Sequence, residues 1–169
     1  MPRKRSKTHP AASQPRRDRT DTAHAETFHQ AGRKLPEPTA CAHCGASYRE
    51  GRWTWAPATA DAHRTTCPAC ERTQQDFPAG LVTVTGAFAR ANRAEILALA
   101  RNLEEREKAQ HPMKRILRVD EQPDALIIST TEMHLARGIG DALHHAYQGR
   151  LDYHYPDDPG DLLRVAWER

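Results

Sequence analysis

The segments CAHCG at residues 41–45 and CPAC at residues 67–70 decide how the central part of this chain folds. Each C-x-x-C pair lets two thiolates reach one metal ion from a single tight turn. Gly45 supplies the unusual backbone angle that such a knuckle needs after its second cysteine. The 22 residues between the pairs include Gly51, which suits a hairpin turn. The sequence therefore predicts two knuckles bridged by a hairpin, a zinc ribbon with one structural Zn²⁺ bound by Cys41, Cys44, Cys67 and Cys70.

Other uses of these cysteines remain open at the level of sequence. They include a redox dithiol, an iron–sulfur cluster and unbound thiols. A redox dithiol is expected as a lone pair on a βα turn, whereas this chain has two pairs. His43 and His63 lie close enough in the sequence to compete as ligands, but four cysteines already complete a tetrahedral site.

Composition and charge narrow the class of protein. The chain has 169 residues, of which 38% are hydrophobic and 28% are charged. It contains no apolar run of the ~18 residues that span a bilayer, and its first residues carry no secretory signal. We therefore expect a cytoplasmic protein without a membrane partner, in which cysteines bind metal more often than they form disulfides.

The positive charge is concentrated in one segment. Residues 1–34 carry nine Lys or Arg against three acidic residues, a net charge of +6 within a formal total of +3. This segment lacks apolar periodicity, so it is predicted to be a disordered basic tail. The predicted organisation is this tail, a four-cysteine zinc ribbon at residues 35–79 and an α+β domain at residues 80–169. We call the last two the ribbon and the α+β unit.

Periodicity in the α+β unit predicts alternating strands and helices. The expected order is a strand at 81–85, a helix at 87–110, a hairpin at 114–119 and 125–129, a helix at 132–147, and strands at 151–155 and 162–167. Asn92 and Glu95 form a candidate capping box at which the long helix starts or kinks. In the second helix, an apolar stripe runs through Leu135, Ile139, Ala142, Leu143 and Ala146. The order βαββαβ with an extra strand predicts a ferredoxin-like sandwich.

Two groups of residues are candidates for contact with a partner. In the ribbon, the aromatic residues Tyr48, Trp53 and Trp55 are interleaved with Arg49 and Arg52, as in surfaces on which nucleic-acid bases stack. The candidate nucleic-acid contacts are Arg49, Arg52, Trp53 and Trp55. The alternative is that these aromatic rings cover the metal site, because so small a domain has almost no core. In the second helix, the polar face is a hypothetical partner-contact surface formed by His134, Arg137, Asp141 and His145.

The helix face has other interpretations. A His–Asp–His row at this spacing is compatible with a second metal site or with acid–base chemistry, and also with a solvated surface. Gly138 and Gly140 lie inside the helical pattern, and Leu143 occupies the third glycine position of a dinucleotide fingerprint. No nucleotide cofactor is therefore expected, and no catalytic residue is assigned.

The motifs also resemble those of known families. The chain from Pro36 onward, about four fifths of its length, resembles a family of short bacterial zinc-ribbon proteins of unassigned function. It shares the motifs GRWxW, PAGxVT, NxEEREKA, HPxKRI and HLARGIGxALHHAYQG. The paired cysteine motifs are more distantly similar to the zinc-binding N-terminal part of the archaeal and eukaryotic adaptor family for nuclear export of the large ribosomal subunit. That family has two zinc sites and this chain has cysteines for one, so an export role is not implied.

These resemblances imply a zinc-ribbon protein that contacts ribosomal RNA or a ribosomal particle. We accordingly expect a non-enzymatic, ribosome-associated or RNA-binding protein. The alternatives are a protein-interaction adaptor that docks through the second helix and, less favoured, an enzyme that uses its histidine-rich face.

Overall fold

The structure, a computed structural model, describes residues 35–155 and 162–169. The predicted tail at residues 1–34 and the predicted connection at 156–160 lie outside the described residues. The described residues form nine strands and four helices: β1 (Thr39–Cys41), β2 (Ser47–Arg49), β3 (Arg52–Thr54), β4 (His63–Thr65), α1 (Pro68–Gln75), β5 (Gly80–Thr85), α2 (Ala87–Ala91), α3 (Arg93–Gln110), β6 (Ile116–Glu121), β7 (Ala125–Thr130), α4 (Met133–Tyr147), β8 (Arg150–His154) and β9 (Leu163–Glu168).

The ribbon contains a small four-stranded sheet in the order β3-β2-β1-β4. The predicted hairpin is confirmed as β2 and β3, with Tyr48 opposite Trp53. Its turn places Glu50 and Gly51 at φ of 51° and 76°, and positive φ at both central residues matches the twist of a two-residue hairpin. Strand β4, which pairs parallel with β1, was not predicted.

The larger sheet belongs to the α+β unit and has the strand order β6-β7-β5-β9-β8. The central strand β5 pairs antiparallel with β7 and parallel with β9. Along β5 the residues alternate between buried and half-buried, as expected for a sheet with one face against a core. The buried side chains of β5, β7 and β9 form one cluster with those of α2, α3 and α4, so these helices cover one face of the sheet.

Most predicted elements of this unit are present, with differences at two places. The long helix is divided at Asn92 into α2 and α3, but the predicted capping box with Glu95 is wrong. The Asn92 side chain makes no bond to the first turn of α3; its amide donates to the carbonyl oxygen of Phe88 at 2.8 Å. The Asn92 side chain therefore bonds to the preceding helix α2 and does not cap the following helix α3.

The apolar stripe of α4 is also displaced from its predicted position. The buried residues are Leu135, Ala136, Ile139, Gly140 and Leu143, whereas Ala146 is exposed. The displacement follows from the close approach of α4 to the sheet. A Cβ atom built on Gly140 would lie 2.6 Å from Cγ1 of Val165 in β9, so glycine is what permits this contact.

The α+β unit is a mixed α/β structure in which the extra strand lies inside the sheet. Strand β9 lies between β5 and β8 and runs parallel to β5. The order of elements agrees with the sequence analysis, and the ferredoxin-like description stays a prediction.

Candidate metal centre

The four cysteines converge on one point. Their sulfur atoms all lie within 4.8 Å of one another; Cys41, Cys67 and Cys70 are buried and Cys44 is half-buried. Sulfur ligands about 2.3 Å from a tetrahedral ion lie about 3.8 Å apart, and the sulfur atoms of Cys44 and Cys67 are 3.7 Å apart. The donor set therefore fits a single structural zinc ion, as the sequence predicted.

The first cysteine pair lies in a turn at the end of β1. The N–H of Cys41 donates to the carbonyl oxygen of Ala46 at 2.7 Å, and the N–H of Gly45 donates to the carbonyl oxygen of Cys41 at 3.2 Å. Gly45 has a φ of 77°, which confirms the backbone angle expected of it. The first pair is thus a compact knuckle whose shape is set by local backbone bonds.

The second cysteine pair was predicted to form a knuckle. In the structure it lies instead at the start of a helix. Cys67 is the N-cap of α1 and Pro68 occupies the first turn, a position that suits proline because its missing N–H would have no helical partner. The N–H of Cys70 donates to the sulfur of Cys67 at 3.5 Å. The positive end of a helix favours negative charge. The proline after Cys67 was the sequence signal for this helix.

Burial and backbone hydrogen bonds shift the pKa values of three of the thiols. Burial raises the pKa of Cys67 and of Cys70. Burial also opposes ionisation of Cys41, but hydrogen bonds from backbone N–H groups, that of Cys67 first, lower the pKa of Cys41 to about 6. Four adjacent thiolates repel one another and are partly desolvated. A divalent cation therefore supplies the charge that lets all four act as ligands.

An arginine of the α+β unit completes the surroundings of the sulfurs. The guanidinium of Arg115 donates from Nη2 to the sulfur of Cys44 at 3.1 Å and from Nη1 to that of Cys70 at 3.4 Å. Burial lowers the pKa of Arg115, but the bonds to the two thiols outweigh this and raise it. Sequence analysis missed this residue, because 71 positions separate it from Cys44 and no local pattern marks it.

The four candidate nucleic-acid residues do not share one surface. The register of β2 and β3 pairs Arg49 with Arg52 and Tyr48 with Trp53, and adjacent residues of a strand point to opposite faces. Trp53 packs against the cysteine cluster, so at least one tryptophan covers the metal site. Arg49 donates to the carbonyl oxygen of Pro57 at 2.7 Å, whereas the side chain of Arg52 is 74% exposed.

Trp55 lies where the ribbon meets the α+β unit. Its indole N–H donates to the carbonyl oxygen of Lys108 at 2.5 Å. The guanidinium of Arg115 lies 5.8 Å from the centre of its ring. Although Trp55 remains 38% exposed, its contacts are with the α+β unit and the arginine that reaches the sulfurs.

The candidate partner-contact residues lie on the outer face of α4 and are exposed. Arg137 and Asp141 approach to 3.7 Å, and Asp141 also accepts a hydrogen bond from the hydroxyl of Tyr153. His134 lies 3.8 Å from Glu132. Asp141 thus has partners other than the histidines. Within residues 35–155 and 162–169, the cysteine cluster is the one group of metal-ligating side chains close enough to hold an ion.

Comparison with known proteins leaves the resemblances as predictions from sequence motifs. No protein-family model, curated protein or solved structure matches the chain. Among the described residues, no helix combines the length and the apolar character that crossing a membrane requires.

Proposed function

We propose that this is a non-enzymatic zinc protein that binds RNA or a ribosomal particle in the cytoplasm. The observation that carries the metal-binding part is the convergence of four sulfur atoms within 4.8 Å. Four cysteine ligands complete the tetrahedral coordination of zinc, so no position remains for a substrate or an activated water. A structural role for the ion follows from this coordination chemistry.

The RNA-binding part is supported by the distribution of charge. Residues 1–34 carry a net charge of +6, so the rest of the chain carries −3. Cationic segments bind the phosphate backbone by releasing counterions, and the affinity falls steeply with salt. Arg52 in the ribbon hairpin is a further cation exposed to solvent, 3.9 Å from the carboxylate of Glu50. In this proposal the ribbon provides a rigid contact and the tail adds salt-dependent affinity.

The experiment is a titration of the full-length, zinc-loaded protein onto purified ribosomal RNA and ribosomal subunits at about 50 and about 200 mM salt. We expect co-sedimentation at the lower concentration and a loss of ~10-fold or more at the higher, for a few phosphate contacts. A variant without residues 1–34 should bind more weakly and show a smaller salt dependence. Absence of co-sedimentation at the lower salt concentration contradicts the proposal.

A protein-interaction adaptor is the second candidate, and the outer face of α4 supports it. His134, Arg137, Asp141 and His145 are all exposed on one helix. In this case, removal of residues 1–34 leaves partner binding unchanged, whereas Arg137→Ala with His145→Ala abolishes it. An enzyme that uses the histidine face is the least favoured alternative.

The same proposal has two further parts. The first is a relationship of this chain to short bacterial zinc-ribbon proteins, and the second is a ferredoxin-like fold for the α+β unit. The motifs of the chain support the first, and the order of strands and helices supports the second.

A further inference from the structure

Arg115 joins the two cysteine pairs to the α+β unit. Its two terminal nitrogens contact Cys44 of the first pair at 3.1 Å and Cys70 of the second pair at 3.4 Å. Hydrogen bonds from a cation to ionised sulfur are stronger than bonds between neutral groups. One side chain from outside the ribbon therefore bridges both halves of the metal site.

The arginine is held in place by its own unit. Its Nε donates to the carbonyl oxygen of Pro112 at 2.7 Å, and its backbone N–H donates to the hydroxyl of Thr131 at 3.0 Å. In return, the N–H of Thr131 donates to the carbonyl oxygen of Arg115 at 2.9 Å. The indole of Trp55 covers one side of the guanidinium. These bonds fix the backbone and the Nε atom of Arg115. The two terminal guanidinium nitrogens therefore already face the sulfurs before a metal binds.

We propose that Arg115 is a positioning residue of the metal centre, and that metal occupancy controls docking of the ribbon onto the α+β unit through it. Four thiolates around one Zn²⁺ carry a net charge of −2, of which the guanidinium offsets half at close range. The inference rests on the metal centre and is independent of RNA binding.

The coupling acts in both directions. A contact that strengthens metal binding is itself strengthened by the metal, since the two share one interaction free energy. Without thiolates opposite it, Arg115 is a half-buried cation that lacks its anionic partner, and such a group disfavours the docked arrangement. The ribbon is therefore held on the α+β unit most tightly when the metal is bound.

The test compares Arg115→Gln with Arg118→Gln in the full-length, zinc-loaded protein. Arg118 is a matched control, because it pairs with Asp76 at the end of α1 and so contacts the ribbon without touching a sulfur. A chromophoric chelator measures zinc affinity by competition. We expect Arg115→Gln to weaken zinc binding about 10–100-fold, as losses of outer hydrogen bonds to metal ligands do, and Arg118→Gln to leave it within about twofold.

A second readout separates a direct effect on sulfur from a general loosening of the interface. In the Co²⁺-substituted protein, loss of a hydrogen bond to a thiolate raises the energy of the sulfur electrons. We therefore expect the sulfur-to-cobalt charge-transfer band to move to longer wavelength in Arg115→Gln and not in Arg118→Gln. Equal zinc affinities for the two variants, or an unshifted band in Arg115→Gln, would overturn the proposal. If Arg115→Gln does not fold, Arg115→Lys is compared with Arg118→Lys. Lysine keeps the charge but lacks the planar guanidinium that reaches both sulfurs, so we expect weaker zinc binding in Arg115→Lys only, and equal zinc affinities for the two lysine variants would overturn the proposal.

Discussion

Removal of the metal should unfold the ribbon and leave the α+β unit folded. The buried cluster of the ribbon consists of Cys41, Ala46, Cys67, Ala69 and Cys70, of which only the two alanines are not ligands. The two methyl groups contribute about 1.6 kcal/mol by burial, and the half-buried Trp53 and Met113 that pack against the cluster add at most about 3 kcal/mol each. Binding of structural zinc typically contributes ~10–16 kcal/mol to the folding of a small domain. The contribution of the metal is still the larger, so the ribbon depends on it.

The α+β unit has a core of a different size. Its cluster contains fourteen buried residues, eleven of them larger than alanine, and burial of each large apolar side chain contributes about 1.5–3 kcal/mol. None of these residues is a metal ligand. We therefore expect this unit to keep its strands and helices when the metal is removed.

Amide hydrogen exchange followed by mass spectrometry measures both units in one sample of the full chain. After addition of a strong chelator, peptides from residues 39–75 should lose protection, including the amides of Ala42 and Glu71, which are bonded to the carbonyl oxygens of Thr65 and Cys67. Peptides from β5 and β7 should keep their protection, and added Zn²⁺ should restore the ribbon. Unchanged exchange in residues 39–75 would refute the reasoning, and so would loss of protection in both units together.

Two further predictions concern the α+β unit. Gly140→Ala should destabilise the protein by about 1–3 kcal/mol, because its Cβ would lie 2.6 Å from Cγ1 of Val165. In the same helix, a Cβ atom at Gly138 would meet no atom closer than 3.5 Å, so Gly138→Ala should stabilise the protein by up to ~1 kcal/mol. Equal free energies of unfolding for the two variants in urea would contradict these predictions. The hydrogen bond from Lys114 lowers the pKa of Glu107 below its usual 4.5. Its stabilisation is therefore present above pH 4.5 and lost as pH falls through the lower, folded value. In metal-free protein, the Lys114→Met variant should lose less free energy of unfolding than the unsubstituted protein as the pH falls from about 7 to about 3. The same pH dependence of the free energy of unfolding in both proteins would contradict this prediction.

Local sequence was sufficient to predict features whose causes lie within a few residues. The spacing of each C-x-x-C pair brings two sulfurs together, and the glycine at position 45 fits the turn that follows. The hairpin at Gly51 and the boundaries of most strands and helices of the α+β unit belong to the same class, because hydrophobic periodicity and turn residues act over short distances.

Two of the errors have equally local causes. Asn92 was expected to cap the helix that follows, but the carbonyl oxygen of Phe88 competes for its side chain. The sequence predicts a second knuckle at Cys67, but the segment begins a helix because Pro68 is typical of a first helical turn.

The sequence alone thus predicted which four cysteines meet at one site, because each C-x-x-C pair is brought together by its own local turn. Only the tertiary structure decided that β9 lies inside the sheet between β5 and β8, that Arg49 and Arg52 share a face without Trp53, and that Arg115 reaches Cys44 and Cys70. These features join residues far apart in the chain or on different strands. Such contacts depend on how whole elements pack, and packing is a property of the assembled surfaces rather than of any short segment.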